Sequence, residues 1–249
     1  YTKTIIIPIK KKPLAKECSE HGLISHASTI MLKIINKRLE RKANDYITNS
    51  QFGFRKGCGT REAIGMLRTI CERYIDHNKE VYACFIDIEK AFDRVDWRKL
   101  IRILEDIGIE KKMIKLIRNL YQEQKVCIRI EDKESNPACI GRGVRQGCII
   151  SPLLFSIYTE HLMKEAMEDI QEGIKIGGAT IKDIRFADDQ AVLAESESGL
   201  QSLMDGIALG EYKMKLNVKK TKTMRISRKG DVELKIKING FNIEQVKTI

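Results

Sequence analysis

"IRFADDQAVLA", Ile184–Ala194, sets two carboxylates side by side, Asp188 and Asp189, with Phe186 and Ala187 before them and Ala191, Val192 and Leu193 after. Adjacent carboxylates repel, yet the runs on either side have the composition of buried strands. Two short strand-like runs about a polar pair read as a β-hairpin, and Asp suits turns because its side chain caps nearby backbone groups. On this stretch alone a turn is the simpler reading. A metal or catalytic role needs support from elsewhere in the chain.

A third carboxylate stands in "CFIDIEKAFDRVDW", Cys84–Trp97, where Asp87 closes an apolar strand just before a turn into a helix. If that strand pairs beside the hairpin, Asp87 and Asp188 converge. Such a cluster repels itself unless cations enter, and Mg²⁺, a hard ion that prefers oxygen, is the natural guest. Two ions roughly 4 Å apart activate an attacking hydroxyl and stabilise a leaving pyrophosphate together. Taken by itself, Asp87 reads equally well as a strand-end or helix-cap acid.

Composition favours a polyanionic partner. The chain of 249 residues carries 45 basic and 34 acidic side chains, a formal charge of +11, with 43% hydrophobic and 32% charged residues. That is enough chain for one large domain or two small ones with real cores. A basic excess of this size suits nucleic acid, because neutralising phosphates releases counterions. The excess gathers at Lys10–Lys12, at Lys37, Arg38, Arg41 and Lys42, and between Lys219 and Lys229. Each cluster taken singly is also an ordinary solvated face. The seven cysteines show no C-x-x-C pair and no disulfide framework, which fits a reducing, intracellular compartment, nucleus or cytoplasm. No signal peptide and no bilayer-length apolar run is visible, so no membrane partner is expected. Because it opens on Tyr1 and runs straight into "TIIIPI", the sequence reads as part of a longer protein.

Periodicity predicts an amphipathic helix over "STIMLKIINKRLERKANDYI", with Ile30, Leu32, Ile34, Ile35 and Leu39 on its apolar side. A second helix is predicted from Arg61 to Asp76 with Thr60 as N-cap, then a buried strand over "EVYACFIDI". Helices follow over Asp96–Ile107 and Glu110–Tyr121. Hairpin strands are expected at "KVCIRIED" and Cys139–Val144 about the turn "ESNPA". Ser151-Pro152 opens a helix with an apolar stripe of Leu154, Tyr158, Leu162, Ala166 and Ile170, and a last helix runs from Gly199 to Lys213. Strands interleaved with helices, without repeats or linkers, predict an α+β domain built on one sheet.

Four blocks occur in order: "FIDIEKAFDRV", "GVRQGCIISPLLFSIY", "IRFADDQAVLA" and "MKLNVKKTK", with "QFGFRKGCGT" before them. From Thr4 to its end the chain resembles the reverse transcriptase domain of non-LTR (LINE-type) retrotransposons. The resemblance implies a right-hand polymerase with an antiparallel palm sheet backed by helices. Fingers would fall at about 1–79 and 110–143 and palm at about 80–109 and 144–249, with the thumb truncated. It implies an RNA-directed DNA polymerase acting in target-primed reverse transcription on an RNA template, a DNA primer and a dNTP. Two Mg²⁺ ions, with Mn²⁺ as a substitute, would be held by Asp87, Asp188, Asp189 and the carbonyl of Ile88. Phe92 matches an aromatic that excludes the ribose 2′-OH, although a core phenylalanine is the plainer reading. Gln146 and Gly147 match a block that meets the incoming nucleotide, the glycine allowing close backbone approach. Lys220 matches a lysine that protonates pyrophosphate, with Lys222 as a rival and a solvated lysine as the alternative. Arg55 and Lys56 fit contacts to a nucleic-acid backbone or triphosphate, or a surface turn.

Two departures stand out. Where the family carries Arg-x-Ile-Ser, this chain reads His21-Gly22-Leu23-Ile24-Ser25 without the arginine, and Thr29 replaces a common lysine. The resemblance also implies a thumb and an endonuclease segment of the same polyprotein, which are expected to lie outside this sequence. A decayed or co-opted copy that binds nucleic acid without polymerising is therefore the competing reading, ahead of an unrelated Mg²⁺-dependent phosphohydrolase.

Overall fold

A computed structural model describes residues 3–6, 26–122, 124–130, 133–145, 147–209, 215–230 and 232–247. The predicted features at Lys10–Lys12, at His21–Ser25 and at Gln146 lie outside them. The chain divides into two compact units, Tyr1–Tyr46 with Phe92–Tyr158, and Ile47–Ala91 with Thr159–Ile249.

In the first unit, β1 (Lys3–Ile6) precedes α1 (His26–Tyr46). Leu32, Ile35, Leu39 and Ala43 of α1 are buried, while Ile30 and Ile34 are exposed. The buried stripe is thus narrower than periodicity predicts. Later in the chain, past α2 (Thr60–Asp76), β2 (Val81–Ile86) and a 3₁₀ turn at Ala91–Arg94, come α3 (Trp97–Asp106) and α4 (Lys111–Tyr121). Asp96 caps α3, its carboxylate accepting from the backbone of Arg98 at 2.8 Å and Lys99 at 3.1 Å. β3 (Lys125–Ile130) then pairs in parallel with β1 and antiparallel with β4 (Lys133–Glu134) and β5 (Ala138–Cys139). The strand predicted over Cys139–Val144 is therefore only two residues long. The rest of that segment is held by other bonds: Gly143 N–H donates to Val95 O at 2.8 Å and Val144 N–H to Phe92 O at 2.9 Å.

α5 (Ser151–Ala166) supplies residues to both units. It is buried nearly all round from Leu153 to Met163, so the single apolar stripe expected of it is absent, and it ends before Ile170.

The second unit is a sheet with helices. β6 (Ile174–Ile176) and β7 (Ala179–Ile181) form a ribbon closed by Gly177 and Gly178. Both glycines have positive φ, as a tight hairpin turn requires. β8 (Asp183–Phe186) and β9 (Asp189–Ala194) are the predicted hairpin. After α6 (Glu197–Leu209) come β10 (Lys222–Ile226), a ribbon of β11 (Lys237–Ile238) with β12 (Phe241–Asn242), and β13 (Glu244–Gln245). The main sheet runs β13-β10-β2-β9-β8, antiparallel except for the parallel β10–β13 pair. The one sheet expected is thus two sheets and two ribbons among the described residues.

β2 is central and buried on both faces, which is why it reads as a continuous apolar run. Val81 and Ala83 on β2, Leu193 on β9 and Ile184 on β8 form one core with Ala63, Ile70 and Tyr74 of α2. α6 packs on β9 and β2. The N-cap of α2 is Gly59 rather than Thr60, because Gly59 N–H donates back to Glu62 Oε2 at 2.8 Å and Thr60 is already helical. Among the described residues, six cysteines are free thiols, and no helix is long and apolar enough to cross a membrane.

Candidate active site

The central strands bring the acids together. β2 and β9 pair with Ile86 opposite Gln190, and carrying that register one residue further sets Asp87 beside Asp189. β8 and β9 pair with Phe186 opposite Asp189, leaving Ala187 and Asp188 as the turn. Asp87, Asp188 and Asp189 therefore share one end of the sheet. Their mutual field is visible at Asp189, whose pKa is raised by burial first, then by the charges of Asp188 and Asp87.

β10 flanks the other side of β2. Asp87 N–H donates to Thr221 Oγ1 at 3.3 Å, and Asp87 O accepts from Asn217 N–H at 2.8 Å. Lys220 Nζ stands 3.8 Å from Asp87 Oδ1. Lys222 instead pairs with Glu244 Oε2 at 2.5 Å and donates to Lys219 O at 3.0 Å. Of the two rival lysines, only Lys220 is set against the acids. Ile88 bridges Leu216, with the bonds on either side running through Asp87 O and Glu89 N–H. That pattern leaves the Ile88 carbonyl out of the pairing.

Among the described residues, no group of three or more His, Cys, Asp or Glu side chains is arranged to hold a metal ion. Mg²⁺ does not need such a cage, since it is commonly bound through one or two carboxylates with substrate phosphates and water completing its shell. Asp87, Asp188 and Asp189 offer carboxylate oxygens, the donor Mg²⁺ prefers, at one end of the sheet, so the acids present fit the ion.

The remaining predicted residues are distributed as follows. Arg55 donates from Nη1 to Thr48 O at 2.8 Å and Gln51 O at 3.2 Å, bracing its own loop, and Lys56 is exposed. Phe92 and Gly147 belong to the first unit, and the three acids belong to the second. Phe92 is half-buried and stacks on fully buried Phe155, with ring centroids 4.4 Å apart. Gly147 has φ +76 with open space where a Cβ would stand, so backbone conformation rather than crowding calls for glycine there. Much of the basic cluster near the end of the chain is paired with acids: Arg225 and Lys229 with Glu80, and Arg228 with Asp76.

Sequence reasoning missed what lies beneath the hairpin. Arg185 is 2% exposed, with Nη2 at 2.8 Å from Glu160 Oε2 and Nε at 2.7 Å from Asp183 Oδ2. The Asp183 pKa is pushed up by burial, with Arg185 opposing that shift. Gln51, also fully buried, accepts from Gly53 N–H at 2.8 Å and Ala187 N–H at 3.2 Å. A sequence signal was present only in the "QFGF" block, which carries no chemistry of its own.

Residues 9–243 match the family model described as reverse transcriptase (RNA-dependent DNA polymerase). The chain is 28% identical over 228 residues to the Pol polyprotein of the type-2 retrotransposable element R2DM of Drosophila melanogaster, covering 90% of this chain and 21% of that protein. It is 27% identical over 230 residues to the RNA-directed DNA polymerase of the mobile element jockey of Drosophila funebris, covering 87% and 24%. The chain thus spans about a fifth to a quarter of the length of these curated relatives. Apo telomerase from Candida tropicalis truncated from its C-terminal domain superposes with a TM-score of 0.61 at 17% identity, over 81% of this chain and 41% of that one. The same telomerase with a TWJ fragment of telomeric RNA gives 0.62 at 15% identity, over 86% and 36%. These neighbours show the fold, a polymerase fingers-and-palm fold of mixed helix and antiparallel sheet. The chain belongs to the reverse transcriptase (RNA-dependent DNA polymerase) family.

Proposed function

We propose that this chain is an RNA-directed DNA polymerase domain that joins a primer 3′-hydroxyl to the α-phosphorus of a deoxynucleoside triphosphate and releases pyrophosphate. The setting would be target-primed reverse transcription, with an RNA template, a DNA primer, and thumb and endonuclease segments of the same polyprotein, in the nucleus or cytoplasm. Fingers at about 1–79 and 110–143 and palm at about 80–109 and 144–249 belong to this reading. The observation that carries it is the meeting of Asp87 with Asp188 and Asp189 at one end of the sheet.

Asp87 and Asp188 would hold two Mg²⁺ ions, or Mn²⁺ in their place, with Asp189 and the Ile88 carbonyl as further donors. Bound Mg²⁺ supplies a Lewis acid for the attacking hydroxyl and the leaving pyrophosphate. Lys220, 3.8 Å from Asp87, would give a proton to the departing pyrophosphate. Phe92 would exclude the ribose 2′-OH, while Gln146, Gly147, Arg55 and Lys56 would meet the nucleotide or the strands. Positioning and electrostatics supply most of the rate in such transfers.

Asp188→Ala in the full-length protein abolishes metal-dependent primer extension while leaving salt-sensitive RNA binding intact. Extension unchanged by this substitution rejects the mechanism. A wild-type protein that binds RNA but never extends a primer favours the nucleic-acid-binding reading instead.

A further inference from the structure

The end of the hairpin that carries Asp188 and Asp189 is held from outside the hairpin. Residues 50–52 run alongside β8: Arg185 N–H donates to Ser50 O at 2.7 Å, Phe52 N–H donates to Arg185 O at 2.8 Å, and Gln51 faces Arg185 in a parallel bridge. The Arg185 guanidinium reinforces this edge, with Nη2 donating to Thr48 Oγ1 and to Ser50 Oγ, each at 3.1 Å. Beyond Arg185 the chain reaches Ala187, which is 5% exposed and adopts φ +60. That left-handed conformation is disfavoured for any residue with a Cβ, so the surroundings must impose it.

Two neighbours impose it. Gln51 Oε1 accepts the Ala187 N–H at 3.2 Å together with the Gly53 N–H at 2.8 Å. Gly53 lies so close that a Cβ there would stand 2.2 Å from Ala187 N and 2.8 Å from Ala187 Cα. The turn is thus seated directly on the backbone of residue 53 and tied to it through one buried amide.

We propose that Gln51 is a positioning residue for the Asp188–Asp189 pair, fixing through Ala187 the direction in which the two carboxylates point. The proposal rests on the polymerase reading of those acids. A purely structural role explains Gln51 less well, because its Nε2 is buried with no hydrogen-bond partner among the described residues, and an unpaired buried donor weakens a fold. Glutamate would lack that surplus donor and keep the acceptor. It would also add negative charge next to the hairpin end that holds Asp188 and Asp189. Glutamine is the neutral acceptor of the same length.

The test compares two substitutions in the full-length protein. Gln51→Met removes the acceptor at similar volume. It is expected to lower kcat for single-nucleotide extension by about 10–100-fold, leave KM for the dNTP within about threefold, and weaken Mn²⁺ binding, read by electron paramagnetic resonance without substrate, by about tenfold. Gln51→Glu keeps the acceptor and is expected to hold Mn²⁺ affinity within about threefold of wild type and kcat within about tenfold. Should Gln51→Met fail to fold, Gln51→Asn, which draws the acceptor back by one methylene, carries the test with the same losses expected. Wild-type Mn²⁺ affinity and kcat in Gln51→Met, or in Gln51→Asn where that variant carries the test, overturns the proposal. Asp188→Asn in the same Mn²⁺ titration separates the two levels. Unchanged Mn²⁺ affinity in Asp188→Asn removes the polymerase reading itself, whereas weakened affinity there with none in Gln51→Met removes only the role of Gln51.

Discussion

Lys220 Nζ lies 3.8 Å from Asp87 Oδ1, with the lysine side chain 70% exposed and the aspartate 37%. An ion pair so open to water adds little to folding, so its placement matters for chemistry rather than stability. Lys220→Ala should change the unfolding free energy by less than about 1 kcal/mol in urea denaturation. The same substitution should lower kcat for nucleotide addition by about 100-fold. Lys222→Ala, which breaks the pair with Glu244, should leave kcat within about threefold. Equal losses in both variants would remove the distinction between them.

Asp189 gives the acid cluster a measurable pH signature. Its raised pKa, set by burial and by Asp188 and Asp87, means that ionising it works against the metal-free fold. That penalty is absent below the ordinary aspartate range and grows as pH rises through the raised value. Asp189→Asn should therefore raise the melting temperature of the metal-free protein at pH 7, by no more than about 2 °C because the side chain is exposed. Adding Mg²⁺ should stabilise the wild type more than the variant. Calorimetry with and without the ion checks both statements.

Glu80 lies at the opposite end of β2 from Asp87 and is built for stability. Arg225 Nη2 and Nε approach its two oxygens at 2.8 and 3.1 Å, and Tyr82 OH donates at 2.6 Å. Arg225, then Tyr82, holds the Glu80 carboxyl at about 2, down from 4.5. The stabilisation is complete above 4.5 and is lost as pH falls toward 2. Glu80→Gln should cost about 1–3 kcal/mol at pH 7, flatten the loss of stability across that acid range, and leave kcat nearly unchanged. Acid titration followed by circular dichroism tests this.

Arg185 is the most exacting position in the core. It lies between Glu160, which is fully buried, and Asp183, 5% exposed. Arg185→Met would remove the buried cation shared by both carboxylates, leaving Glu160 with Lys164 at 3.3 Å and the Thr48 hydroxyl, at about 3–5 kcal/mol. The destabilisation should ease as pH falls and Asp183 takes up a proton. A double variant that also carries Glu160→Gln should recover part of it in guanidinium denaturation.

What could be read from the residues was local. The helices over α1, α3 and α4 followed from periodicity, and the hairpin followed from apolar runs about Asp188 and Asp189. The β6–β7 ribbon is equally legible in "IKIGGATI" through its Gly177-Gly178 turn. The α5 stripe misled because burial on every side erases amphipathic periodicity.

The amino-acid sequence by itself determined the family and singled out the three acids on which the proposed mechanism rests, because ordered motifs survive without knowledge of contacts. Only the tertiary structure decided that Asp87 follows Ile86 to the same end of the sheet as Asp189, that Lys220 rather than Lys222 stands against Asp87, and that Gln51 grips a turn 136 residues away. Arg185 shows the reason. An arginine is mostly solvent-exposed in proteins, and here burial with Glu160 and Asp183 arises from packing between distant segments, which no local pattern encodes.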